Sequence, residues 1–132
     1  MPASDSRGAF DVLVLGAGPA GSGLALALQR AGVADVLIVD RPARRPFRIG
    51  ESAAPSLGPL LRRLGLDDRL DGLGHYHCHG NLYLWGGPAP TIKDFITCAH
   101  GSGWHLDREA FDEWLRAEAV TPSCIDAARK LK

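Results

Sequence analysis

Gly16-Ala17-Gly18-Pro19-Ala20-Gly21 reads G-x-G-x-x-G, a spacing that can hold a pyrophosphate. The first glycine permits a tight turn, the second lets the backbone approach a phosphate, and the third lets a helix pack closely on a strand. The anion then sits at a helix N-terminus, where unpaired N–H groups and the macrodipole favour negative charge. Asp40 lies 24 positions after Gly16, where a ribose-binding acid is expected. Its carboxylate accepts hydrogen bonds from ribose hydroxyls and repels a 2′-phosphate, which favours FAD or NAD over NADP. Arg41 beside it softens that exclusion. The competing reading is a Gly-rich turn in an unrelated α/β domain.

Other residues carry weaker signals. Arg48-Ile49-Gly50-Glu51-Ser52 can hydrogen-bond a polar ligand, or serve only to cap a helix starting at Pro55. His75, His77 and His79 flank Cys78 and would share a face in a strand. No second cluster with zinc spacing accompanies them, so no metal site is expected. Nothing in the sequence places a base beside Cys78, so a nucleophilic role is not expected either. Lys93 and Asp94 are further polar candidates. Trp114 reads as packing, and Trp85 and Trp104 as core or as walls of a flat-ligand pocket.

The elements that must position these residues follow from pattern. Phe10 to Leu15 is a short apolar run ending at Gly16, read as a strand buried on both faces. Ala20 to Ala31 reads as a helix carrying Leu24, Leu26 and Leu28 and stopped by Gly32, and Asp35 to Asp40 as a second strand. Together they make a βαβ unit. A basic, Pro-broken connection follows from Arg41 to Ile49, then a helix over 55–66 with Leu57, Leu60, Leu61 and Leu64. Asn81 to Trp85 and Ile92 to Thr97 read as strands. Asp107 to Val120 reads as an amphipathic helix with Asp107 as N-cap and Phe111, Leu115 and Ala119 on one stripe.

Composition narrows the class. The 132 residues carry 15 Lys+Arg against 15 Asp+Glu, so no basic face for nucleic acid is expected. The three cysteines, Cys78, Cys98 and Cys124, are too few and too widely spaced for a disulfide framework. The longest uncharged stretch, Val12 to Gln29, is broken by GAGPAGSG, which argues against a membrane span. No secretory pattern opens the chain. A cytoplasmic setting is the expectation.

Four segments taken together resemble a known family: DVLVLGAGPAGSGLALAL, VLIVDR, RIGESAAPSLGPLLRRLGL and HGSGWHLDREAFDEWLRAEA. They resemble the N-terminal part of FAD-dependent oxidoreductases, in the group of tryptophan-halogenase-like proteins and the flavoprotein maturases of quinone-cofactor amino-acid oxidases. The resemblance spans roughly residues 10–119. It implies FAD as cofactor, with Gly16, Gly18 and Gly21 at the pyrophosphate and Asp40 at the adenosine ribose. Pro19, Ala20 and Arg41 join them as cofactor-binding candidates. Arg48, Glu51 and Ser52 are implied near the flavin, and Arg108 at the phosphate or ribose, where a guanidinium bonds bidentately.

The implied fold is α/β: a Rossmann-like FAD-binding βαβ unit, then the start of a second, β-rich region, together an incomplete domain. Residues 1–9 are expected to be a disordered N-terminus and 120–132 an irregular tail. The implied reaction is flavin-based hydroxylation, halogenation or cofactor maturation on a substrate the sequence does not identify. A catalytic lysine of the halogenases falls near Asn81 here, the nearest lysine is Lys93, and the W-x-W-x-I-P signature is absent. These departures favour the maturase-like or monooxygenase-like branch. The alternatives are a non-catalytic nucleotide-binding remnant and an NAD-binding dehydrogenase module.

Overall fold

The computed structural model describes residues 10–33, 35–41, 48–66 and 69–120. The expectations for residues 1–9 and for the tail beyond Val120 lie outside them. The chain divides into two compact units, residues 1–44 with 112–132, and residues 45–111.

In the first unit, β1 (Val12–Leu15) and β2 (Val36–Val39) form a parallel pair with Val12 opposite Val36 and Leu15 opposite Val39. The helix α1 (Pro19–Arg30) connects them, which gives the expected βαβ order. Proline stands at its first position, where its missing N–H and fixed φ cost nothing. It closes in a Schellman motif: Gly32 N–H donates to the Gln29 carbonyl and Val33 N–H to that of Leu28, both at 3.0 Å.

The stripe that α1 buries differs from the leucine pattern. Ser22, Ala25 and Leu26 are buried, spaced three and four apart, while Leu24 is exposed. The fully buried Ser22 hydroxyl donates to the Ala17 carbonyl at 3.2 Å. Burial of β1 on both faces is not found: Val14 is buried, whereas Leu13 and Leu15 are exposed. Val36 and Ile38 of β2 are buried as well, as are Leu115 and Ala119 later in the chain.

In the second unit, β3 (Glu51–Ala53), β7 (Gly103–Leu106) and β4 (Tyr76–Cys78) form an antiparallel sheet with β7 in the centre. The helix α2 (Leu57–Arg63) follows β3, and a 3₁₀ turn (Arg69–Leu73) precedes β4. A separate hairpin pairs β5 (Gly80–Tyr83) with β6 (Thr91–Asp94). Leu61, Leu66, Leu70, Cys78, Phe95, Leu106 and Phe111 are the buried apolar residues of this unit. The helix α3 (Arg108–Ala119), whose residues from Asp112 onward are assigned to the first unit, buries Phe111, Leu115 and Ala119, as its period predicts. Asp107 caps it, its Oδ1 accepting the N–H groups of Glu109 at 2.9 Å and Ala110 at 3.2 Å.

Two further sequence expectations are corrected. The 48–52 segment caps no helix: Glu51 and Ser52 lie in β3, and Ser56 is the N-cap residue of α2 without a side-chain cap bond. Trp85 is 95% exposed and so is no part of the core. β7, central to its sheet, carried no recognised pattern. Among the described residues no helix is long and apolar enough to cross a membrane.

Candidate functional site

The Gly-rich turn of the first unit has the geometry its spacing predicts. Gly16 adopts φ +102°, a conformation that L side chains rarely take. Its N–H donates to the Val39 carbonyl at 2.7 Å, which ties the turn to β2. A Cβ on Gly21 would collide with the Gly16 carbonyl oxygen, so this glycine is where helix meets strand. A Cβ on Gly18 would meet nothing within 4 Å. Gly18 is the N-cap of α1, no side chain caps that end, and the first turn holds no acidic residue. The first N–H groups of a helix have no intrahelical partner, so a helix N-terminus without a side-chain cap suits an anion.

At the end of β2, Asp40 is already engaged. Its Oδ1 accepts the Arg41 backbone N–H at 2.8 Å and its Oδ2 accepts Arg116 Nη2 at 3.3 Å. Arg116 was not legible as a site residue. Nothing in the sequence linked it to Asp40, 76 positions away.

In the second unit, an open cleft of about 690 Å³ is lined by Arg48, Glu51, Ser52, Tyr76, His105 and Arg108, among others. It brings together all four residues that the resemblance assigned to this part of the chain. Arg108 and Glu51 form an ion pair. Ser52 Oγ and His105 Nδ1 lie 2.8 Å apart on facing strands, in register. His105 was missed because β7 was missed.

The histidine cluster separates into different roles. His75 is buried, and its Nδ1 accepts the Asp107 backbone N–H at 3.2 Å. That bond assigns the ring proton to Nε2, which is buried without a partner. Phe111 packs edge-on against the ring. His77 lies 3.4 Å from Asp71 and against Trp104 at a centroid distance of 4.2 Å, and His79 bonds Ser102. Among the described residues no three His, Cys, Asp or Glu side chains are grouped to hold a metal ion. Cys78 is buried, with its thiol donating to the Gly80 carbonyl at 3.4 Å.

Burial pushes the His75 imidazole below its ordinary value, and the Asp107 carboxylate opposes part of that shift. The unfolded chain therefore binds a proton at pH values where the folded ring does not. Stability from this group is complete above about 6.5 and declines as pH falls through the lowered folded value. Denaturant unfolding between pH 8 and 5 should show a steeper acid loss in the native chain than in His75→Asn, whose amide oxygen replaces the acceptor without titrating. Equal slopes would remove His75 from the acid response.

A second pocket, of about 430 Å³, is lined by Asn81, Tyr83, Lys93, Cys98 and His100, among others. Lys93 stands directly opposite Asn81 in the hairpin register.

Comparison with known proteins gives the lineage. The family model described as tryptophan halogenase matches residues 11–95, more than half of the chain. A tryptophan 2-halogenase of Chondromyces crocatus is 34% identical over 108 residues, covering 82% of this chain and 20% of the relative. A flavin-dependent halogenase of Metacordyceps chlamydosporia is 48% identical over 104 residues, covering 79% and 19%. The solved structure of the myxobacterial chondrochloren halogenase, an FAD-dependent halogenase, superposes with a TM-score of 0.72 at 31% identity, covering 83% of this chain and 26% of that one. The chain thus spans about a fifth to a quarter of the length of these relatives. With the βαβ turn in place and the family model matched across it, the chain belongs to the tryptophan halogenase family, within the FAD-dependent oxidoreductases.

Proposed function

We propose that this chain binds FAD and supplies the cofactor-binding part of a flavin-dependent oxidoreductase. The observation that carries the reading is the β1–turn–α1 geometry, with Gly21 closed against Gly16 and Gly18 open at an uncapped helix N-terminus. In the first unit, the backbone of Gly16, Gly18, Pro19, Ala20 and Gly21 accommodates the pyrophosphate, whose charge the helix N-terminus favours. Asp40, beside Arg41, accepts the adenosine ribose hydroxyls. In the second unit, Arg48, Glu51, Ser52 and Arg108 are the proposed FAD contacts, and Arg108 offers donors while Glu51 balances its charge. When bound, the flavin supplies redox chemistry with oxygen, and the protein supplies position and electrostatics.

The reading is tested by adding FAD to the purified chain. A perturbed flavin absorption spectrum and quenched fluorescence, saturating near one equivalent, are expected. An unchanged free-flavin spectrum overturns it, and NAD displacing FAD would favour a dehydrogenase module instead. Halogenation, as opposed to hydroxylation or maturation, is favoured by one observation. The hairpin register brings Lys93 opposite Asn81, near which the resemblance expects a lysine.

A further inference from the structure

Asp40 stands at the end of β2 with both carboxylate oxygens engaged, one by the Arg41 backbone N–H and one by Arg116. The side chains are partly buried, with Arg116 32% and Asp40 24% exposed, so solvent screens the pair incompletely. The last turn of α3, which carries Arg116, is fastened to α1 by Gln29 Nε2, which donates to the Ala119 carbonyl at 2.8 Å. The backbone from which Arg116 reaches Asp40 is therefore fixed.

We infer that Arg116 is a positioning residue for nucleoside recognition: it holds the Asp40 carboxylate so that its remaining lone pairs meet the hydroxyls of an adenosine ribose. An ionised carboxylate has about four acceptor sites. Two are taken, and the pairing at both oxygens fixes the rotamer that presents the rest. Packing does not account for an arginine at this position. Arg116 Nε is buried without a partner, a cost that Met or Leu at 116 would avoid. A 2′-phosphate receptor is the other role open to an arginine beside such an acid. Against it, Nη2 is spent on Asp40 and Nε is inaccessible, so the guanidinium edge they share is not presented bidentately to a phosphate.

This inference rests on the dinucleotide reading of the Gly-rich turn, and the test separates the two. Affinities of the full chain for ADP, 2′-deoxy-ADP and adenosine 2′,5′-bisphosphate are measured by calorimetry. The native chain should prefer ADP over 2′-deoxy-ADP by about tenfold, roughly one charge-assisted hydrogen bond. In Arg116→Met the ratio should fall to near one, and Arg116→Gln provides the same measurement should the methionine variant not fold. A merely structural role would weaken both ligands equally and leave the ratio unchanged, which overturns the inference. So does a native preference for the 2′,5′-bisphosphate. Failure of the native chain to bind any of these ligands or FAD overturns the dinucleotide reading, and this inference with it.

Discussion

Gly18→Val is expected to cost the chain at least about 100-fold in FAD affinity, equivalent to about 2.7 kcal/mol, while leaving it folded. The backbone at Gly18 has φ −76° and ψ −174°, extended geometry that any residue adopts. A Cβ there meets no protein atom within 4 Å. The protein itself therefore has no steric reason for glycine at this position. The folding cost is limited to a poorer N-cap residue, about 1 kcal/mol or less. The proposed pyrophosphate needs that open space, because only a bare backbone lets it reach the first-turn N–H groups of α1. Thermal unfolding without ligand and flavin titration of the same variant check the two halves. Retained affinity would show that the turn does not hold the phosphates.

Gly21→Ala should do the reverse and damage the fold before any ligand is considered. Its Cβ would press into the Gly16 carbonyl oxygen, stand 3.0 Å from the Gly16 carbonyl carbon and 3.2 Å from Val14 Cγ1. Two of these are backbone atoms of the turn, which cannot rotate away as a flexible side chain would. Relief requires α1 to move off β1, which opens the contacts of the buried Ser22, Ala25 and Leu26. A loss of at least about 3 kcal/mol is expected, at the upper end of overpacking effects. Against a total stability of roughly 5–15 kcal/mol, that is a large fraction. Denaturant midpoints measured without FAD check it, and a midpoint near that of the native chain would contradict the close approach of helix and strand. Two glycines of one motif thus separate by test: Gly18 answers to the ligand and Gly21 to the fold.

The βαβ unit was legible because each of its parts has a local cause. A β-branched run makes β1, Pro19 and the glycines punctuate α1, and Val36 to Val39 repeats the strand pattern. The α3 stripe was legible for the same reason, since a helix repeats its face every three to four residues. The short strands of the second unit were less so. β3, β4 and β7 run only three or four residues each, too short for alternation to stand out, and their pairing partners lie up to 55 positions apart, as with Glu51 and Leu106.

The sequence by itself determined the Gly-rich turn between strand and helix, the acid that follows it, the family, and FAD as the cofactor to test. Those depend on residue type at fixed spacing along one stretch of chain. Only the tertiary structure decided which partners those residues have. Arg116 reaches Asp40 across 76 positions, Arg108 meets Glu51 across 57, and His105 meets Ser52 across 53. It also divided the histidine run, burying His75 while leaving His77 paired with Asp71. The physical reason is that hydrogen bonds and ion pairs between side chains follow distance in space, and chain folding sets that distance through packing rather than through order along the sequence.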